Sequence, residues 1–294
     1  MKLRIVHRTS YRYDADVSAN YNEVHLVPRS LPTQTCLSNE LVIEPHPSDF
    51  HERVDYFGNG VAFFSVQTPH RALTVTATST VEATDRPTEG DGWSGEPWEQ
   101  SLARFADHAD TELIEARPYV LDSPLVAVGE RHAEYAAPSF TPGRPVLEAV
   151  RDLTRRIHTD FAYRPGATTI ATELDDVLDQ REGVCQDFAH VAIAAVRSMG
   201  LPARYVSGYL ETLAPPGREK LTGVDASHAW FSVFAPGTGW VDFDPTNDRV
   251  PNERYVTTAW GRDYADVTPI KGIVFSSGGG HELTVAVDVV RLDA

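Results

Sequence analysis

Cys185 stands one residue into a segment, Val184 to Met199, that opens after Gly183 and stops at Gly200-Leu201-Pro202. That punctuation predicts a helix. A thiol becomes a nucleophile when its surroundings favour the thiolate. At a helix N-terminus the unpaired N–H groups and the positive end of the dipole favour an anion. The same N–H groups can receive the oxyanion formed when a carbonyl is attacked. Gly183 leaves the approach to the sulfur free of a side chain. Position alone leaves a second reading open, a small buried hydrophobe, as free cysteines usually are.

A thiolate needs a base, usually histidine, and the histidine needs an orienting acceptor. Eleven histidines are available. His190 lies five residues along the same helix, rotated about 140° from Cys185, and is expected to pack elsewhere. His228 begins His228-Ala229-Trp230-Phe231-Ser232-Val233-Phe234, a predicted strand whose alternate residues share one face. After the Pro236-Gly237-Thr238-Gly239 turn comes a second strand with Asp242 and Asp244. A hairpin of this length returns the end of the second strand to the start of the first. Asp244 is then placed to hold the far ring nitrogen of His228. Asp242, two residues earlier on the same face, is its competitor; Asp244 is favoured because it terminates the strand in Asp244-Pro245-Thr246. A metal site of Cys185, His228 and Asp244 is the other use of these residue types, which serve a triad at least as naturally.

The elements that must position these residues are legible as pattern. Pro145 suits a first helical position, and Val146, Val150, Leu153 and Ile157 recur at helical spacing. A second helical piece falls near Leu174–Leu178. Three strand-like segments follow the Cys185 helix: Ala203–Glu211, His228–Phe234 and Trp240–Asp244. Helices followed by antiparallel strands predict an α+β core. Upstream, Leu3–Thr9, Leu41–Pro45, Val61–Val66 after an Asn59-Gly60 turn, and the period-two run Leu73–Val81 predict a β-sandwich-like domain. The expected organisation is a β-rich domain over 1–85, a connection over 86–144 that opens in the proline- and glycine-rich stretch 86–98, a core over 145–270 and a β tail over 271–294. Within the connection, Glu99–Phe105 reads as a short helix and Tyr119–Pro124 as a loop.

With 294 residues, 41% of them hydrophobic and 23% charged, the chain has globular proportions. A net charge of −16, spread along the chain, argues against nucleic acid or an anionic membrane as partner and for neutral or cationic substrates. The first thirty residues hold no signal-peptide core and no window is long and apolar enough for a span, so the cytoplasm is the expected compartment. The two cysteines, Cys36 and Cys185, form no CxxC pair. Cys36 is expected to be structural.

Five blocks carry a family likeness: Gly183-Val184-Cys185-Gln186-Asp187-Phe188-Ala189, Leu201 to Tyr209 (LPARYVSGY), His228-Ala229-Trp230, Gly239-Trp240 and Asp244-Pro245-Thr246. Their order, with 43 residues from cysteine to histidine and 16 from histidine to aspartate, resembles the transglutaminase-like superfamily core over roughly 145–250. The resemblance implies a papain-like α+β core with Cys185 as nucleophile, His228 as base and Asp244 as orienting carboxylate. The flanks are similar to a bacterial branch with an N-terminal β region and a segment matching Gly261–Val267, whose acidic and tyrosine side chains either line the cleft or form a packed turn. Calcium dependence, a property of animal members, is not carried over, since no loop has EF-hand spacing; no cofactor is expected. The expected function is a cysteine peptidase or amidase acting on a peptide or amide substrate through a thioester, with an amine as a further acyl acceptor if transfer competes with hydrolysis. Acylation from a coenzyme A thioester ranks lower for want of a phosphate-binding loop. The non-enzyme alternative is a transglutaminase-fold peptide-binding or scaffold protein. Trp230, Tyr209 and Trp240 are expected in the core rather than against substrate.

Overall fold

The computed structural model describes residues 1–84, 96–106, 113–212 and 227–292. Residues 86–95 of the predicted boundary stretch lie outside the described residues.

The N-terminal region is built on one strand of unexpected length, β1 (Lys2–Val24), whose inward positions Leu3, Ile5, His7 and Thr9 alternate with exposed ones. Its first half pairs with β5 (His70–Ala83), and its second half with β4 (Gly60–Val66). The β5 pairing shifts register between Arg12 and Val17, so β1 changes direction there and serves two leaves of one sheet. β2 (Gln34–Glu44) extends the first leaf beyond β5, and β3 (Asp49–Val54) extends the second beyond β4. Residues of both leaves, among them Val17, Ile43, Phe64, Val66, Leu73 and Val75, meet in one buried cluster. That is the sandwich-like layering expected from the alternating strands.

The core packs helices on a four-stranded antiparallel sheet of order β10-β9-β8-β11: β8 (Ala203–Leu210), β9 (Ser227–Ala235), β10 (Gly239–Phe243) and β11 (Tyr255–Gly261). Among the described residues four α-helices precede the cysteine: α1 (Trp98–Ala106), α2 (Glu130–Ala136), α3 (Val146–Asp160) and α4 (Leu174–Gln180). The predicted stripe of α3, Val146, Val150, Leu153 and Ile157, is buried. Tyr119, expected in a loop, ends inside a 3-10 turn, Arg117–Val120. The next helix, α5 (Cys185–Ser198), is buried on nearly every side from Phe188 to Val196, as a helix apolar all round should be. At about 1.5–3 kcal/mol per fully buried large apolar side chain, this shared cluster is the main support of α5, and hence of whatever stands at its N-terminus. At its other end buried Arg197 donates to the carbonyls of Leu121, Ala203 and Arg262 (3.0, 2.9 and 2.6 Å), tying three segments to one guanidinium.

Two carboxamides join the halves. β11 is an edge strand, and its outer edge is met by side chains and the Arg29 N–H rather than by another strand. Gln34 donates to the Thr257 carbonyl and accepts from the Thr257 N–H, both at 2.8 Å. Asn59 does the same at Trp260, at 2.8 and 3.0 Å. Each carboxamide mimics a peptide group and covers an otherwise open edge. After β11 come a short helix, α6 (Tyr264–Val267), and the strands β12 (Ile270–Ser276) and β13 (His281–Arg291), both paired antiparallel to β1. The chain's end thus completes the sheet that its beginning founds. Among the described residues no helix is long and apolar enough to cross a membrane.

Candidate active site

The turn before Cys185 is held on both sides. A parallel pair of two-residue strands, β6 (Ala162–Tyr163) and β7 (Glu182–Gly183), runs into it, and the Arg164 N–H donates to the Gly183 carbonyl at 2.8 Å. The Asp187 carboxylate, one turn into α5, accepts from the Val184 N–H at 2.7 Å and from the Thr168 hydroxyl at 2.6 Å. That satisfies a donor just ahead of the helix and sets an acid at its positive end. A Cβ on Gly183 would fall 2.5 Å from this carboxylate oxygen, so glycine is required there for the carboxylate to close over the turn, a tighter reason than open access to sulfur. Cys185 is half-buried at the first helical position. Tyr163, Tyr205 and Tyr264 stand around it: burial pushes each hydroxyl's pKa up, and the nearby cysteine adds to the effect.

His228, second residue of β9, lies opposite Gly208 of β8. Its Nε2 donates to Asp244 Oδ2 at 2.8 Å. Asp244 follows β10 directly, is fully buried, and is fixed by an antiparallel bridge to Arg249. Its other oxygen accepts the N–H groups of Thr246 (2.9 Å) and Asn247 (3.2 Å). Oδ2 also accepts from the Asn247 side chain at 2.7 Å and the Tyr255 hydroxyl at 2.8 Å. Burial opposes its charge, yet His228 and these donors hold the carboxyl below its usual range. Burial likewise opposes a charge on His228, but Asp244, with further help from a hydrogen bond to Cys185, outweighs it and pushes the imidazole up to about 10. Since Nε2 faces Asp244, Nδ1 is the nitrogen left for the sulfur. The structure therefore brings Cys185, His228 and Asp244 into one chain of contacts.

The competitors lie elsewhere. Asp242 lines a separate cavity near Arg204. His190 is buried against Tyr205, accepts from the Tyr264 N–H at 3.2 Å, and is pushed down to about 4 by burial. Trp230 is wholly buried and the Tyr209 hydroxyl bonds His7 at 3.0 Å; Trp240, half-buried, lines the same separate cavity. Cys36 sits on β2, its thiol 3.5 Å from the Ser38 carbonyl, and both cysteines are free. The Gly261–Val267 segment is a packed turn. Asp263 caps α6 and accepts from the Leu125 N–H at 2.7 Å, while Arg262 and Asp266 pair through two contacts of 2.9 Å. Of its side chains Tyr264 reaches the cysteine's surroundings.

Sequence reasoning missed Asn247 and Tyr255. Asp-Pro-Thr-Asn is an Asx-turn signature, so Asn247 had a local signal. Tyr255 had none, because it comes from β11 across the sheet.

Comparison with known proteins follows the same division. Residues 3–82 match the bacterial transglutaminase-like N-terminal region, and residues 134–245 match the transglutaminase-like superfamily. An uncharacterized protein of Mycobacterium tuberculosis is 44% identical over 99% of this chain and 93% of its own length. Another, of Mycobacterium leprae, is 35% identical over 99% of each. A protein-glutamine gamma-glutamyltransferase of Pseudomonas aeruginosa is 39% identical over 103 residues, 34% of this chain and 15% of that protein. Among solved structures, one provisionally named a cysteine protease, from Cytophaga hutchinsonii, superposes with a TM-score of 0.78 at 24% identity, over 100% of this chain and 91% of that one. On sequence relatives along its whole length and on fold, the chain belongs to the transglutaminase-like superfamily, in the form that carries the bacterial N-terminal region.

Proposed function

We propose that the protein is a cysteine-nucleophile enzyme that cleaves peptide or amide bonds through a thioester, with Cys185, His228 and Asp244 as its working residues. The observation that carries this reading is the His228 imidazole, bound through Nε2 to buried Asp244 and hydrogen-bonded to Cys185, where the Asp244 charge pushes its pKa up to about 10. A fixed positive charge there is the partner a thiolate nucleophile requires. The sulfur forms a bond to the carbonyl carbon, and the developing oxyanion meets the free N–H groups at the start of α5. The C–N bond breaks as the Nδ1 proton passes to the leaving nitrogen. Water then adds to the thioester, His228 takes its proton, and sulfur departs as thiolate. Asp244 keeps the ring oriented throughout.

Transfer to an amine uses the same steps with an amine in place of water. It is the second reading because the gamma-glutamyltransferase of Pseudomonas aeruginosa is 39% identical to this chain over 103 residues. Labelling with iodoacetamide at pH 6, read by peptide mapping, tests the nucleophile. Cys185 should react far faster than Cys36 and lose that advantage in His228→Ala; equal rates in both proteins would remove the proposal. Ammonia release from glutaminyl peptides with and without a fluorescent amine then separates hydrolysis from transfer.

A further inference from the structure

A cavity of about 860 Å³ opens between the N-terminal region, the 115–119 segment and the sheet of the core. That is the size of a small-molecule site, and Cys185, His228 and Asp244 do not line it. Its aromatic walls include Tyr56, Tyr119, Trp240 and Trp260. Set among them is Arg204 of β8, only 7% exposed. Its guanidinium carbon lies 4.1 Å from the Trp240 ring centre and 3.7 Å from that of Trp260. Arg29 lies over Trp260 as well, at 3.5 Å. Two cations this close to one ring centre must occupy its opposite faces, so the groups form a stack: Arg29, Trp260, Arg204, Trp240.

The stack leaves Arg204 only its edge for hydrogen bonding. Arg29 uses its edge on the Phe57 carbonyl (3.2 Å) and on Asn59 Oδ1 (2.5 Å). Arg204, among the described residues, makes no hydrogen bond and no close ion pair, its nearby counter-charge being Asp242, and its Nε is buried without a partner. The Nε of Arg29 and the hydroxyl of Thr257, also in the cavity wall, are buried and unpartnered in the same way. Stacking on indole offsets part of the desolvation of a guanidinium, but its N–H groups still want acceptors. Three orphaned polar atoms around one cavity describe the missing acceptor: an anion that takes hydrogen bonds from a guanidinium edge. The charged residues of the wall are Arg29 and Arg204 against Glu115 and Asp242. These charges cancel, so the anion is selected by the guanidinium edge of Arg204, and a single carboxylate meets less repulsion from Glu115 and Asp242 than a phosphate dianion would; the exposed ring of Tyr56 and that of Tyr119 offer apolar surface to a flat body.

We propose that this cavity binds a small organic carboxylate with a flat apolar body, its carboxylate held by Arg204. Free acids and the C-terminal carboxylate of an aromatic peptide share that chemistry.

The test titrates the full chain with hippurate, following tryptophan fluorescence and heat, beside its neutral counterpart hippuramide, a C-terminal Gly-Phe dipeptide and inorganic phosphate. Hippurate or the dipeptide should bind saturably, hippuramide at least tenfold more weakly, and whichever acid binds better names the source. Arg204→Gln should weaken binding tenfold or more, Arg204→Lys less, and Cys185→Ala not at all. If Arg204→Gln fails to fold, photolabelling of the wild type with 4-benzoylbenzoate decides. Labels in 29–33, 56–58 or 238–242 support the site, whereas labels around 163–186 or His228 overturn it. Absence of saturable carboxylate binding, unchanged binding by folded Arg204→Gln, or tighter binding of phosphate than of either acid also overturns it. In the first two cases Arg204 is a structural clamp only.

Discussion

At the scale of single residues, the candidate site depends on a buried pair. Asp244 is fully buried and accepts five hydrogen bonds, three on one oxygen and two on the other. Asp244→Asn should keep the turn but leave His228 without its counter-charge, lowering kcat/KM for peptide hydrolysis by roughly 10²–10⁴; kinetics on a fluorogenic peptide checks this. Tyr255→Phe removes one donor to the same oxygen and should cost about 0.5–1.5 kcal/mol in stability, read by urea unfolding, with a smaller loss of rate. The pair also fixes a pH dependence. His228 is raised from 6.5 to about 10, so its contribution to stability is complete below pH 6.5 and is lost as pH climbs toward 10. Asp244 is depressed, so its contribution is present above the ordinary carboxylate range and is lost as pH falls below it. These describe one interaction seen from two sides. The melting temperature of the wild type should therefore fall relative to an Asp244→Asn, His228→Gln double variant at both extremes.

At the scale of elements, two junctions decide whether the site is assembled. The first is the turn into α5, where Gly183 lets the Asp187 carboxylate close on the Val184 N–H. Gly183→Ala should push that carboxylate aside and reduce iodoacetamide labelling of Cys185 while leaving Cys36 unaffected. The second is the covered edge of β11. Gln34→Leu leaves the Thr257 N–H without a partner, while the Thr257 carbonyl keeps the Arg29 N–H at 3.1 Å, and should destabilise the protein by about 1–3 kcal/mol, measured by denaturant midpoint. These junctions differ in how visible they were. Gly183-Val184-Cys185 and the Gly200-Leu201-Pro202 stop announce α5 within a few residues, and the observed helix begins at Cys185. The β9–β10 hairpin was visible for the same reason, its turn being local. Beyond Leu3–Thr9 the full length of β1 as one strand was harder to see, because its buried positions change from odd numbers through Val17 to even ones from Asn20, where the pairing with β12 slips register. α2 and β3 were missed: seven residues of Glu130–Ala136 carry too little period to register, and β3 is exposed at every position.

For the whole molecule, the consequence of topology is that both ends of the chain share β1. β13 pairs with its first half and β12 with its second. Deleting residues 270–292 would bare one edge of the longest strand, an invitation to association. The truncated protein should elute as aggregate in size-exclusion chromatography, although every residue of the candidate site is retained. What the sequence by itself determined were features written in neighbouring residues: the cysteine at a helix start, the histidine and aspartate on a hairpin, the alternating N-terminal strands and the motif order of the superfamily. Tertiary structure alone decided which nitrogen of His228 meets Asp244, that Tyr255 joins them, that Gln34 and Asn59 seal β11, and that Arg204, inside a familiar motif, lies stacked in a cavity with Arg29. The reason is physical: helix starts and tight turns are fixed by interactions a few residues apart, whereas these contacts join residues 11 to 223 positions apart and exist only once the layers have packed.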